Sequence, residues 1–423
     1  MPASVPLLAD PPAFLRRLFA VAVAAVQPAR CVPPALADLP ACRRIVAVGA
    51  GKAAAAMAAA AENALTGAVT GLVVTRDGYG CPTRRIEVAE AAHPVPDARG
   101  VTAAQRILAL ARAAGPDDLL LCLLSGGASA LLTLPIAGLT LDDKRTITAT
   151  LLRAGAAIQE LNCVRKHLSA IKGGRLAAAA GTAQVLSLVI SDVVGDDPAV
   201  IASGPTVADP TTCADALAIL NRYDVPLPSA VRAGLENGAF ETPKRIAGGQ
   251  VRIVARPADA LAAAAAEARA AGLGVIDLGD RCEGEAQAVA CAHAAQVQAV
   301  RADGGAPRII LSGGELTVHV RGDGRGGPNT EYALALAQAL EGATGVWALA
   351  ADTDGTDGTC DAAGAIVAPD TLARARSAGL TPGHALARND SGGFFARLGD
   401  LLRPGPTMTN VNDLRAILVL PDP

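Results

Sequence analysis

The sequence predicts an α/β protein: a Rossmann-like, doubly wound N-terminal domain and a smaller C-terminal α/β domain with a mixed sheet, its active site in the interdomain cleft. Three observations predict this. Five short apolar runs end abruptly in turns of glycine, small hydroxyls and charge; helical patterns alternate with those runs; and 423 residues exceed what one ordinary core organises. Apolar runs without polar alternation are what strands covered on both faces look like, and glycine directly after them lets backbone N–H groups approach a ligand.

A short apolar stretch, Leu18–Val26, follows Arg16-Arg17 and continues into Gln27-Pro28-Ala29-Arg30 without a small-x-small cleavage site, so it is read as an amphipathic first helix rather than a signal peptide. The first strand, Ile45–Val48, runs into Gly49-Ala50-Gly51-Lys52, and an Ala-rich helix from Lys52 to Leu65 leads to a strand at Gly71–Thr75. A helix over Val101–Ala113 precedes the strand Leu119–Leu124, which ends in Ser125-Gly126-Gly127. One long helical stretch, Asp142–Leu161, leads through Asn162–Leu176 to the strand Val185–Ile190 and its turn Ser191-Asp192. This alternation implies right-handed βαβ units on a mainly parallel sheet.

Between Asp224 and Pro243 periodicity is lost among prolines and glycines, which places a domain boundary there, with residues 1–240 in the first domain and 241–423 in the second. The second unit begins with Val251–Val254, the helix Ala258–Ala271, Val275–Leu278 and the helix Glu285–Ala302. Ile309–Leu311 then runs into Ser312-Gly313-Gly314-Glu315, and Val346–Ala350 into Asp352-Thr353-Asp354-Gly355. Polar alternation over Leu316–Val320 suggests that this sheet is mixed.

Aromatic residues make up 2% of the chain and the formal charge is −3, which argues against nucleic-acid stacking and against electrostatic capture of nucleic acid or acidic membranes. The expected partner is a small molecule. Nine scattered cysteines, with no C-x-x-C pair, fit reduced thiols packed as small hydrophobes, and the expected location is the cytoplasm.

Gly49-Ala50-Gly51-Lys52-Ala53-Ala54 approaches the dinucleotide fingerprint but lacks an acidic residue about twenty positions on. Its informative residue is Lys52, because a cation in a first helical turn opposes the helix dipole unless an anionic ligand offsets it. Ser191–Asp197 places Asp192, Asp196 and Asp197 after a buried strand, where they serve either Mg²⁺ or base chemistry or plain turn formation. Asp352–Gly358 is read as oxygen coordination of a nucleotide-borne Mg²⁺. Arg321–Asn329 is rich enough in glycine for a nest of N–H groups, with Arg325 as a planar phosphate donor. The cationic stretch from Arg165-Lys166-His167 to Lys172 is either a solvated helix face or a collector of substrate charge. His93, in a Pro-bracketed turn, serves either ligand contact or a structural hydrogen bond. Ser125 and Ser129 lack a nucleophile elbow and read as phosphate or carboxylate ligands.

Together these segments resemble the glycerate 2-kinase family, whose C-terminal half is the MOFRL-type domain. The resemblance rests on Val48–Ala53, Ala92–Asp97, Leu124–Leu132, Asn162–Leu176, Ser191–Asp197 and Ile201–Thr206. It continues through Ser312–Thr317, Gly324–Glu331, Asp352–Asp361 with Ala362–Ala365, and Gly405–Leu414. It implies ATP-dependent phosphorylation of D-glycerate at the 2-hydroxyl, with Mg²⁺. Lys52, Asp192 and Arg325 are the implied catalytic residues. Gly49, Gly51, His93, Ser125, Gly126, Gly127, Ser129, Arg165, Lys166 and Lys172 are the implied substrate and phosphate ligands. Gly313, Gly314, Glu315, Gly326, Gly327, Asn329, Glu331 and Asp354 are expected to bind nucleotide, and Asp192, Asp197 and Asp352 metal. Relatives often read Gly-Gly-Arg-Asn where this chain has Gly326-Gly327-Pro328-Asn329. Some members carry the name hydroxypyruvate reductase, so an NAD(P)H-dependent reductase is the alternative, and a non-catalytic binder of phosphorylated metabolites a third reading. The expected partners are D-glycerate and ATP, without nucleic acid or membrane, and a homodimer is compatible with the sequence.

Overall fold

The computed structural model describes residues 9–421. They divide into two compact units: residues 28–255, and residues up to Gln27 together with residues from Arg256 onward.

The 28–255 unit is built on six parallel strands: β1 (Arg44–Ala50), β2 (Val69–Arg76), β3 (Ile86–Ala91), β4 (Asp118–Leu124), β5 (Gln184–Ile190) and β6 (Gly249–Ala255). Their order is β3-β2-β1-β4-β5-β6. The winding therefore reverses between β1 and β4, and the loops leaving those two strands open on the crevice where ligands of doubly wound sheets bind. Every residue of β4 is buried, as its unbroken apolar run requires. The Ala-rich helix Ala54–Ala64 lies close on this sheet because alanine adds so little bulk to the contact face. At the opposite edge Asp118 is buried, and hydrogen bonds from Arg44, with the charge of Arg43, hold its carboxyl down at about 2.

A second apolar cluster of this unit joins the helices Leu141–Arg153, Ile158–His167, Cys213–Arg222 and Ser229–Glu236. The single helix expected over Asp142–Leu161 is two, broken at Gly155, whose φ of +74° ends the first. The first of these begins in a capping box, Thr140 and Asp143.

The other unit carries β7 (Gly274–Asp277), β8 (Gly284–Glu285), β9 (Arg308–Ser312), β10 (Leu316–Thr317), β11 (Val346–Asp352), β12 (Gly364–Val367), β13 (Leu401–Leu402) and β14 (Asp413–Val419). Six of them form a mixed sheet, β13-β12-β11-β14-β9-β7. Its mixed character comes from β7, which runs parallel to β9, whereas the other four neighbouring pairs are antiparallel. The alternating run Leu316–Val320 contributes only β10, paired with β8 outside the main sheet.

Two expectations are corrected here. Val251–Val254 does not open the second unit; it lies in β6, the edge strand of the first sheet, so the division falls at 255/256 rather than 240/241. The first helix, Pro11–Ala25, belongs with the later residues. It buries Phe14, Leu15, Leu18 and Phe19 and packs on the helix Pro257–Ala270, with Arg17 ion-paired to Glu267 at 2.6 Å. By length and composition the segment Pro11–Ala35 could cross a membrane. Here it forms two helices, and the first of them supplies core to the unit.

Candidate active site

At the β1/β4 switch point the two loops are locked by backbone. The Ser125 N–H donates to the Ala50 carbonyl (3.1 Å), and the Lys52 N–H to the Gly126 carbonyl (2.8 Å). Gly51 (φ +134°) admits no side chain, because a Cβ there would lie 2.2 Å from Ser125 Oγ. Ser125 is fully buried, and its Oγ accepts from the Ala53 N–H at 3.0 Å, so it caps the helix behind Lys52. Gly49 packs against the Leu123 carbonyl just below. Gly127 adopts φ +81°, and a Cβ there would be 3.0 Å from His93 Nε2 and 3.3 Å from Lys52 Cγ. Lys52, His93 and Gly127 are thus brought together.

Beside them opens a cavity of about 470 Å³, lined by His93, Gly127, Ser129, Lys144 and Arg165, with Pro94, Val95 and Leu152 as apolar wall. Lys144 is 6% exposed and its Nζ donates to Thr133 Oγ1 at 2.5 Å. Behind it Lys172 is fully buried, with Nζ donating to the Ala202 carbonyl at 3.3 Å. Burial lowers Lys144 to about 8, with Arg165 adding repulsion, and pushes Lys172 well below its ordinary value, with Lys144 and Arg165 as further causes. Burial also lowers Arg165. Among the described residues no carboxylate pairs with any of the three. A buried cation without a counter-ion costs several kcal/mol, so the buried Lys144 beside the half-buried Arg165 marks an anion site.

The wall is fixed from behind by an unusual turn. Ala202 and Ser203 adopt φ of 57° and 59° and Gly204 59°; the Gly173 N–H donates to the Ser203 carbonyl, and Gly174 N–H to that of Gly204. Ser203 Oγ in turn lies 2.8 Å from Ser129 Oγ and 3.4 Å from Asn162 Oδ1.

Lys166 does not join the cation group. It forms a buried ion pair with Asp209 at 3.2 Å, and Thr211 and Thr242 complete that carboxylate's hydrogen bonds. Asp192 follows β5 at the same C-terminal edge as Lys52, half-buried. Asp197 is exposed and its Oδ1 accepts from the Ala199 N–H, which is turn chemistry. His167, Cys213 and Glu241 bring potential ligand atoms within 4.8 Å of one another, but Glu241 already takes Lys244 at 2.6 Å and His167 at 3.3 Å.

In the other unit the remaining candidates gather around the starts of β14 and of the helix Pro328–Leu340. Pro328 occupies the first helical position, where its missing N–H costs nothing, which accounts for its place in the glycine loop. Asp357 receives both the Asn329 and Thr330 N–H groups (2.9 and 2.8 Å); burial nonetheless pushes its carboxyl up to about 7. Gly327 leaves room for that carboxylate, since a Cβ would lie 2.4 Å from it. Asn329 Nδ2 donates to Asp413 Oδ1 at 2.7 Å, whereas Asn329 Oδ1 is buried with no hydrogen-bond partner. Asp413 also takes Arg415 at 3.0 Å, and the fully buried Arg415 donates to Ser312 Oγ and to the Gly313 carbonyl. Gly314 (φ +94°) approaches the Cys282 backbone, and Glu315 is exposed.

Asp352 stands opposite Asp413 in the β11–β14 register. Its Oδ1 accepts the Asp354 N–H, and Asp354, buried, accepts from Thr356. Glu331 is committed to Gln287 and Asn389 at 2.9 and 3.1 Å. The side chain of Arg325 is exposed, and its backbone is tied to Asp390 and Gly392 beside Gly326. Thus Lys52 and Asp192 belong to one unit and Arg325 to the other.

Sequence reasoning assigned no individual role to Lys144, Asn162, Ser203, Asp413 or Arg415, and took Asp357 only as part of the segment Asp352–Gly358. Asp413 and Arg415 left a signal, as two charges at alternate positions in an apolar strand. Lys144 left none.

Two family profiles match the chain: one described as a domain of unknown function (DUF4147) over residues 14–236, and the MOFRL family over residues 308–413. A protein of Agrobacterium vitis, provisionally named a hydroxypyruvate reductase, is 53% identical, over 96% of this chain and 94% of its own length. The D-glycerate 2-kinase of Thermotoga maritima is 40% identical over 93% of this chain and 94% of its own length. A crystal structure titled glycerate kinase from Thermotoga maritima superimposes with a TM-score of 0.86 at 38% identity, over 96% of this chain and 98% of that one.

Proposed function

The chain belongs to the glycerate 2-kinase family, and from that premise we propose that it transfers the γ-phosphoryl group of ATP to the 2-hydroxyl of D-glycerate, giving 2-phospho-D-glycerate and ADP. The observation that carries this reading is the cavity at the switch point, where Lys144 and Arg165 lack carboxylate partners beside Lys52 and His93. Phosphoryl transfer depends chiefly on alignment and charge neutralisation, and these groups supply both.

In this reading the acceptor's carboxylate lies against Lys144 and Arg165, and the Ser129 hydroxyl orients its polar end. Lys52 neutralises oxygens of the transferring group. Asp192 takes the proton of the attacking hydroxyl, and Arg325 steadies equatorial oxygens. Nucleotide phosphates are assigned to the glycine turns Gly313-Gly314 and Gly326-Gly327.

Mg²⁺ is part of the same proposal. The orphaned Asn329 Oδ1, beside Asp413 and hence the β11 end that bears Asp352 and Asp354, gives an all-oxygen donor set that suits a hard cation. Asp352 and Asp354 would hold it, and it would supply charge compensation for the nucleotide phosphates. Cytoplasmic location belongs to the same reading, supported by nine free thiols.

The test is one pair of assays on the purified protein: ADP release with D-glycerate, ATP and Mg²⁺, and NAD(P)H oxidation with hydroxypyruvate. Coupling the product to enolase assigns the carbon, because enolase takes the 2-phosphate directly and the 3-phosphate only after a mutase. Hydride transfer without ADP release would overturn the proposal.

A further inference from the structure

The cations of the cavity outnumber the charge of a monocarboxylate. Lys144 and Arg165 both line it, Lys172 stands behind them, and His93 faces the same space. The nearby carboxylates are already engaged: Asp142 pairs with Arg145 at 2.8 Å, Asp143 caps its own helix at Thr140, and Asp209 pairs with Lys166. The lack of a counter-ion at Lys144 is therefore specific, since its sequence neighbours and Lys166 all have partners. Arg145 also lines the cavity but is paired with Asp142; of the two lining cations without a carboxylate partner, Lys144 and Arg165, one carboxylate would neutralise one and leave the other uncompensated.

We propose that this cavity is built for anions carrying at least two negative charges, so that the phosphorylated hydroxy acid, the product of the reaction, binds more tightly than the acceptor and competes with it. The proposal rests on the reading above, that the acceptor occupies this cavity. Its chemistry is charge matching: a second anionic group on the carbon next to the carboxylate meets the positive charge that one carboxylate leaves over.

The experiment is calorimetric titration of the full chain, without nucleotide, with D-glycerate, 2-phospho-D-glycerate and hydroxymalonate. Hydroxymalonate is a hydroxy acid with two carboxylates and no phosphate. Both ligands with two anionic groups are expected to bind at least tenfold more tightly than glycerate, and Lys144→Met is expected to remove most of that advantage. The melting temperature of unliganded Lys144→Met is expected to equal or exceed that of the native chain, which separates lost binding from lost folding. Equal affinity for glycerate and both of these ligands would overturn the proposal, as would a uniform weakening of all three in a folded Lys144→Met. Turnover is measured separately. A chain that phosphorylates glycerate yet binds these ligands alike loses only this inference, whereas absence of ADP release removes the kinase reading and leaves the binding comparison standing.

Discussion

Ser203 Oγ lies 2.8 Å from Ser129 Oγ, so a hydroxyl carried on a left-handed turn meets a hydroxyl on the cavity wall. Non-glycine residues in that conformation cost about 1–2 kcal/mol each, and here two follow one another, Ala202 and Ser203. Backbone bonds from Gly173 and Gly174 hold the turn in place. Strain at a turn beside a cavity gives two separable effects to measure, on stability and on turnover.

Ser203→Gly and Ser203→Ala both remove the hydroxyl, but only glycine relieves the strain. The glycine variant should be more stable than the alanine variant by about 1 kcal/mol, while both lose roughly tenfold in kcat/KM for glycerate. Chemical denaturation with steady-state kinetics decides this. Equal stability of the two variants would show that the turn stores no strain.

Lys52→Ala and Asp192→Asn should each depress kcat. For Asp192→Asn the loss should be about 10²–10⁴ if the carboxylate takes the hydroxyl proton. Near-normal turnover of Asp192→Asn in the ADP-release assay removes it from the mechanism.

Burial lowers Lys144 from 10.5 to about 8. Between those pH values the unfolded chain carries a proton that the folded chain has released, so unfolding takes up a proton and stability rises with pH across the window. Relative to Lys144→Met, the native chain should gain roughly 2–3 kcal/mol from pH 8 to 10.5. Urea denaturation at several pH values measures the difference, and a flat difference would place the lysine's pKa near its ordinary value.

Gly51→Ala should cost about 2–4 kcal/mol, because its Cβ would meet Ser125 Oγ at 2.2 Å and the Ser125 carbonyl at 2.5 Å in a backbone conformation only glycine takes easily. Gly78→Ala is the control. Gly78 also has positive φ but nothing within 4 Å of the added carbon, so about 1 kcal/mol is expected. Thermal melts of the two variants test this ranking.

Much of the framework was legible in the sequence. β1, β4, β5, β9 and β11 all follow apolar runs and end at the predicted turns, and a strand's burial on both faces writes itself into contiguous residues. β6 was assigned to the wrong unit because an edge strand and the start of a new domain present the same short β-branched run. β14 escaped notice because its charged residues, Asp413 and Arg415, interrupt the apolar pattern; they are tolerated because they pair with each other and find further partners in Asn329, Ser312 and the Gly313 carbonyl. The helix Pro11–Ala25 read correctly as amphipathic, yet nothing local indicates that it packs on Pro257–Ala270.

The sequence alone determined the strands that follow unbroken apolar runs, the turns that end them and the family, since each of these is encoded by residues close together in the chain. Only the tertiary structure decided which charges find partners. Lys166 and Lys172 lie six positions apart in one cationic segment, yet the first meets Asp209 and the second only the Ala202 carbonyl. Ion pairing depends on distances of a few ångströms between residues remote in the chain, so the cation left over for a ligand becomes visible only after folding.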